Sequence, residues 1–295
     1  MSPRIYTGAT GAKPELTLFN VPTSRQLQHV QVGLAASRIS LTFPSSASQR
    51  RSAATAKQLA DIPQAVTMAI REATYSDLRE MAEAAAAAFQ DEELFGELMH
   101  PRRKEYPRDF VAYFERRFLR HWNDANCHLV VGLDKTTGKV VGCAQWERQG
   151  AKPASWSDSL RIGSFMQSAS RAYLQSLDYL WPNRAADPDK INILDETFPL
   201  FAHHWTESRR QNWYLEFLCT HPGYQGQGLG KELVLWGVNR AKEDKICASV
   251  ISAAGKEAFY GRYGFVEVGR ANVGRLGACG IRGGAILFCE GHLST

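Results

Sequence analysis

Residues 225–230 read QGQGLG, three glycines within five residues, between the apolar run "LEFLCT" and the amphipathic run "LGKELVLWG". Glycine loses more conformational freedom on folding than any other residue, so a cluster belongs where the backbone bends unusually or approaches something closely. At a strand-to-helix turn that something is commonly a phosphate, held by main-chain N–H groups and the helix N-terminus. Two phosphate templates fail here. If Gly230-Lys231 supplied the G-K of a P-loop, Gln225 would stand at its first glycine and Glu232 at its Ser/Thr. The dinucleotide fingerprint G-x-G-x-x-G begins at Gly226 and Gly228 but meets Lys231 at its third glycine, and it stands late in the chain. The pattern Gln/Arg-x-x-Gly-x-Gly/Ala is satisfied in full by Gln225, Gly228 and Gly230.

Two neighbouring side chains could serve chemistry. Glu216 stands in a strand-like run between Leu215, Phe217 and Leu218. A carboxylate in apolar surroundings suits a general base; the alternatives are a solvent-facing or ion-paired Glu216. Cys219 is a nucleophile by type, but its neighbours are apolar and no histidine is placed to pair with it.

The Gln225–Gly230 pattern resembles the acyl-CoA loop of the GCN5-related N-acetyltransferase (GNAT) superfamily. A second segment, "AFYGRYGF" at 258–265, resembles that family's F-Y-x-x-x-G-F stretch, with Tyr260 at the tyrosine position. The resemblance implies acetyl-CoA as cosubstrate and no metal. It implies that the backbone of Gln225, Gly226, Gln227, Gly228, Leu229 and Gly230, with Lys231 beside it, faces the pyrophosphate. It also implies that the strand at Leu218, Cys219 and Thr220 hydrogen-bonds the pantetheine arm, and that Ser252 contacts the cofactor. Tyr260 would be the general acid for the departing thiolate, since a phenol near the sulfur can return its proton. Glu216 is the candidate base, and transfer passes directly from thioester to amine without Cys219.

The elements that must position these residues follow from periodicity. "AVTMAIREA" reads as a strand, and Thr74 with Asp77 three residues on reads as a helix cap before "LREMAEAAAAAF". Pro107 opens a second helix with Phe110, Tyr113, Phe114 and Phe118 at helical spacing. "CHLVVGLD" and "KVVGCAQWE" read as a hairpin around Lys135–Gly138. Residues 151–211 are mostly helical in pattern, aromatic-rich and broken by Pro182, Pro188 and Pro199. "NWYLEFLCT" is a strand, the run from Leu229 a helix, "ICASVIS" a strand, "GKEAFYGRYGF" a short helix, and "AILFCE" a late strand. The expected fold is therefore α/β, and the resemblance implies a GNAT fold. That is a mixed, strongly twisted central sheet flanked by helices, with a helical insertion before the fourth strand, opened between its fourth and fifth strands. The aromatic-rich insertion beside this motif is most similar to fungal-type small GNAT proteins.

Composition bounds the rest. The 295 residues are 44% hydrophobic and 22% charged, an ordinary globular balance. A net charge of +5 suits an anionic ligand but is too small to point to nucleic acid. No run approaches the roughly 20 apolar residues of a membrane span. Six scattered cysteines without a C-x-x-C read as reduced thiols, and eight histidines without an H-x-x-x-H give no metal site. Residues 1–62 are rich in Ser, Ala and Arg and poor in acids. They are expected to be a dispensable extension or a mitochondrial transit segment on an otherwise cytoplasmic protein, preceding one acetyltransferase domain at 63–295. The expected acceptor is a small-molecule amine, with a protein lysine or N-terminus as the rival. The acids Asp91, Glu92 and Glu93 are either an attraction for a cationic amine or a solvated helix end. A non-catalytic acyl-CoA-binding protein is the alternative from a different class.

Overall fold

The computed structural model describes residues 68–150 and 163–291. The expectations for residues 1–62 and for 151–162 lie outside them. Strand β1 (Met68–Glu72) leads into a single 3-10 turn, Tyr75–Asp77. The expected cap forms there: the Asp77 carboxylate accepts from the Thr74 main-chain N–H at 2.6 Å and from its hydroxyl at 2.8 Å. Arg71 on β1 grips the same carboxylate at 2.6 and 2.9 Å, tying the strand to the turn. Helix α1 (Leu78–Ala88) follows, and its alanines let it lie close against the sheet, burying Met81, Ala82 and Ala85. A short π-type turn, Glu93–Leu98, precedes α2 (Pro107–His121), which opens on its proline and buries Phe110, Phe114 and Phe118 as one stripe.

The hairpin β2 (Cys127–Asp134) and β3 (Val140–Gln149) turns where Asp134 accepts from the Thr136 N–H and the Thr137 hydroxyl. Helix α3 (Gly163–Leu180) is the one long helix described in the expected insertion. Beyond Pro182 that segment becomes turns, single 3-10 turns and the five-residue helix α4 (Ile193–Thr197). Its prolines, which cannot continue a helix, account for the difference from the helical pattern. Then come β4 (Asn212–Thr220), α5 (Leu229–Glu243), β5 (Cys247–Ser252), α6 (Glu257–Gly261), β6 (Val266–Arg270), α7 (Gly274–Ala278) and β7 (Ala285–Cys289).

The seven strands form one sheet in the order β1-β2-β3-β4-β5-β7-β6. Every pairing is antiparallel except β4 with β5, so the sheet is mixed, as expected. Each face carries its own core. Helix α5 packs on one face through Leu229, Leu233 and Val238 against Val130, Val141, Trp146 and Leu215. Helices α1 and α2 pack on the other through Met81, Ala85, Phe114 and Phe118 against Val131, Cys143, Phe217 and Cys219. Among the described residues no helix is long and apolar enough to cross a membrane.

Candidate active site

The site arises where β4 and β5 part. Their parallel pairing runs from Asn212 opposite Cys247 to Leu215 opposite Val250 and then stops. Beyond it β4 continues to Thr220 along β3, while β5 continues to Ser252 along β7. The two strands diverge, leaving one edge of β4 without a sheet partner among the described residues. His221 donates its main-chain N–H to Val141 on β3 at 2.8 Å. In an antiparallel ladder alternate residues turn their N–H and C=O toward the same neighbour, so Cys219 and Phe217 also face β3. The main-chain groups of Leu218 and Thr220 therefore face the opening.

That alternation separates three residues expected together. Leu218 and Thr220 offer main chain to the opening, although the Thr220 carbonyl already accepts from the Gln225 side chain at 3.1 Å. Cys219 points its sulfur into the α1–α2 core, 3.4 Å from the sulfur of Cys143. Enclosure in that apolar layer removes it from any attack on a ligand.

β4 carries a bulge at Glu216. Gln145 pairs with Phe217 and Trp146 with Leu215, so Glu216 is the extra residue on β4. The bulge breaks the two-residue alternation and brings Glu216 and Phe217 to the same side. There Glu216 forms an ion pair with Arg117 of α2. The Arg117 guanidinium also lies 5.6 Å from the Phe217 ring centre and 5.5 Å from that of Phe95. Burial is the largest influence on the Arg117 pKa and lowers it, but Glu216 and Tyr113 together, by charge and hydrogen bonding, outweigh it, and the pKa is raised overall. Of the alternatives left open for Glu216, the structure shows the ion-paired one. Sequence reasoning missed Arg117, although a signal existed: a charged residue set between Phe114 and Phe118 on the apolar stripe of α2.

The glycine loop sits at the end of the opening. Gly226 and Gly228 have φ of +76° and +88°, the left-handed region that favours glycine. A Cβ built on either would meet nothing within 4 Å, so backbone conformation rather than crowding requires them. Gly228 caps α5 with no side-chain acceptor. The N–H groups of Gly228, Leu229, Gly230 and Lys231 find no acceptor among the described residues. The first turn of a helix cannot satisfy its own N–H groups, and its dipole favours an anion there. The Leu229 side chain is an anchor instead, packed so tightly over Gly132 that a Cβ there would fall 2.3 Å from it. Gln227 points back toward the Gly223 carbonyl at 3.5 Å, and Lys231 is half exposed with its ammonium 3.8 Å from Glu232.

Opposite, Ser252 closes β5. It is 2% exposed, and its hydroxyl has no hydrogen-bond partner among the described residues. Tyr260 of α6 packs edge-on to Phe259 at 5.1 Å and Phe265 at 5.8 Å, and burial pushes its phenol pKa well above the ordinary value. Ser252, Tyr260, Leu218 and Glu216 line one cavity of about 130 Å³, with Val250, Phe217 and the α1–α2 connection. The three adjacent acids have parted. Asp91 is exposed beside Lys104 and Arg103, whereas Glu92 and Glu93 line the cavity. Glu93 accepts from the Gly283 N–H at 2.6 Å and the Arg282 N–H at 3.2 Å, holding the loop before β7 as the cavity's far wall. Nothing in the sequence pattern joins residues 92–95 to 281–284.

The sequence profile of the Acetyltransferase (GNAT) family matches residues 91–265, more than half of the chain. The chain belongs to the GNAT acetyltransferase family. Several solved structures are similar to this chain. One is described as histone acetyltransferase HPA2 and related acetyltransferase from Corynebacterium glutamicum. It is 18% identical with a TM-score of 0.50, and the match covers 76% of this chain and 96% of its own. A GNAT family acetyltransferase from Brucella melitensis, solved with acetyl-CoA, is 15% identical with a TM-score of 0.35 over 68% of this chain and 84% of its own. The PaiA N-acetyltransferase from Thermoplasma acidophilum, solved with coenzyme A, is 10% identical with a TM-score of 0.39 over 75% and 98%. No curated protein matched the sequence.

The residues of this GNAT protein fit acetyl-CoA. Free N–H groups at the α5 N-terminus suit a pyrophosphate. The unpaired edge of β4 suits an extended amide-bearing arm. The buried, partnerless Ser252 hydroxyl supplies a hydrogen-bonding group where the opening narrows. No group of three or more His, Cys, Asp or Glu residues that could hold a metal occurs among the described residues.

Proposed function

We propose that this protein is an acetyl-CoA-dependent N-acetyltransferase acting on the primary amine of a small molecule. The observation that carries the reading is the parting of β4 and β5. It joins an unpaired strand edge and a buried tyrosine to one small cavity, with a phosphate-competent helix end following β4 in the chain. Acetyl-CoA, when bound, supplies an acetyl group activated as a thioester. The α5 N-terminus holds the pyrophosphate, and the Leu218 N–H is the donor for the carbonyl oxygen on which charge develops. Tyr260, kept protonated by burial, gives its phenol proton to the departing sulfur and regains one from the attacking nitrogen. The balance is one ammonium and one thioester giving one amide, one thiol and one released proton.

A small acceptor is favoured because the cavity is walled by separate elements: the α1–α2 connection, β4, β5 and the loop before β7. Release of free CoA thiol with a panel of small amines and lysine peptides tests this. Turnover with free amines supports the reading. Turnover with peptides alone assigns a protein acceptor, and cofactor binding without thiol release assigns a non-catalytic acyl-CoA-binding role.

A further inference from the structure

Three carboxylates line the cavity, and Glu92 is placed differently from Glu216 and Glu93. Glu92 caps the Glu93–Leu98 turn, and one of its oxygens accepts from the Leu94 N–H at 3.0 Å and the Phe95 N–H at 2.7 Å. Among the described residues no arginine or lysine forms an ion pair with it. Its charged surroundings are specific. Glu93 beside it is satisfied by Arg282 and Gly283. Arg103 on the same connection is spent on the carbonyls of Gln90 and Gly96. Glu216, paired with Arg117, and Tyr260 line the same cavity. Glu216 thus carries its own counter-charge, whereas Glu92 meets the cavity without one.

The wall next to Glu92 is aromatic. The ring centres of Phe89 and Phe217 lie 5.0 Å apart, Phe89 and Phe95 5.1 Å, and Phe95 and Phe217 5.9 Å. The cavity volume of about 130 Å³ compares with the roughly 150 Å³ apolar cavity that accommodates benzene. A space of this size beside one unneutralised carboxylate suits a cationic head on a ring-sized apolar body.

We infer that Glu92, rather than Glu216, is the carboxylate that receives the acceptor, and that the acceptor is a primary amine carrying an apolar group of about ring size. The inference rests on the acetyltransferase reading above. The ammonium sits against the Glu92 carboxylate and the apolar body against Phe89, Phe95 and Phe217. Glu92 takes one proton, leaving a neutral amine whose lone pair can attack, and passes that proton to solvent. Burial raises the Glu92 pKa above the usual carboxylate value even against the N–H groups that oppose the shift, which brings it closer to the amine's own range.

The test uses the full chain with 2-phenylethylamine, ethanolamine and a lysine peptide. Glu92→Gln keeps an oxygen for the turn's N–H groups, and Glu92→Asp keeps the charge on a shorter arm. The wild type should prefer 2-phenylethylamine to ethanolamine roughly 10–100-fold in kcat/KM, from burial of the ring. Calorimetry should show Glu92→Gln binding 2-phenylethylamine roughly 10–100-fold more weakly, with acetyl-CoA affinity unchanged. The acidic limb of the kcat profile should vanish in Glu92→Gln and persist in Glu92→Asp. Wild-type affinity for the amine and an intact acidic limb in Glu92→Gln, with the limb lost in Glu216→Gln, would overturn this inference and leave the acetyltransferase reading standing. A wild type that binds and acetylates only the peptide overturns this inference and the small-molecule reading together.

Discussion

Replacing Tyr260 by Phe removes one oxygen from the cavity and leaves the ring in place. The ring's contacts with Phe259 and Phe265 do not involve that oxygen, and the hydroxyl makes no hydrogen bond to any described residue. Stability at neutral pH should therefore change by less than about 1 kcal/mol. The rate should change far more. Loss of a general acid typically costs 10²–10⁴-fold, or roughly 3–5 kcal/mol of barrier. The two effects separate cleanly when kcat from thiol release is compared with thermal unfolding. The pH dependence adds a second check. Because burial raises the phenol pKa, Tyr260 stays protonated throughout the neutral and mildly alkaline range, and no alkaline limb from it should appear below about pH 10. The unfolded chain ionises its phenol near pH 10 while the folded one resists. Tyr260 therefore draws stability down as pH rises above 10, and Tyr260→Phe should soften that loss. A Tyr260→Phe protein with near-wild-type kcat on its true acceptor would refute the argument and reduce Tyr260 to packing.

Three further outcomes are expected. Gly228→Val forces a branched residue to a φ of +88° without striking any neighbour; it should weaken acetyl-CoA binding roughly tenfold or more by calorimetry while the domain stays folded, and unchanged affinity would refute the loop assignment. Asp77→Ala removes the partner of Arg71 and the cap of the first helical region; since the Arg71 hydrogen bond and the Thr74 N–H hold the Asp77 pKa down at about 2, it contributes roughly 2 kcal/mol above pH 4 that disappears as pH falls toward 2, a dependence the variant should lack in urea titrations. Glu216→Gln strands the buried Arg117 charge and should cost about 3–5 kcal/mol in denaturant unfolding, with much of it recovered in the double variant Glu216→Gln/Arg117→Met; full additivity of the two substitutions would contradict the ion pair.

The sequence by itself determined the elements and the cofactor loop. Strand and helix periodicities are local, and so is the chemistry of a turn: Thr74 with Asp77, Pro107 at a helix start, and glycines at 226 and 228 carry their meaning within a few residues. The family resemblance added the cleft and the tyrosine, because "AFYGRYGF" and "QGQGLG" keep their spacing whatever surrounds them. The tertiary structure decided which side chains meet. A one-residue bulge at Glu216 reverses the facing of the rest of β4, bringing Phe217 and Cys219 onto the face where Glu216 meets Arg117 and turning the main chain of Leu218 toward the opening; alternation in a sequence cannot register an insertion that leaves the strand's composition unchanged. Arg117 is 99 residues from Glu216 in the chain, and Glu93 is 190 from Gly283. Neither pair has a local pattern, because each is set by how α2 and the loop before β7 pack over the sheet. The same packing separated three adjacent acids into one exposed ion pair and two cavity walls, the distinction on which the acceptor site depends.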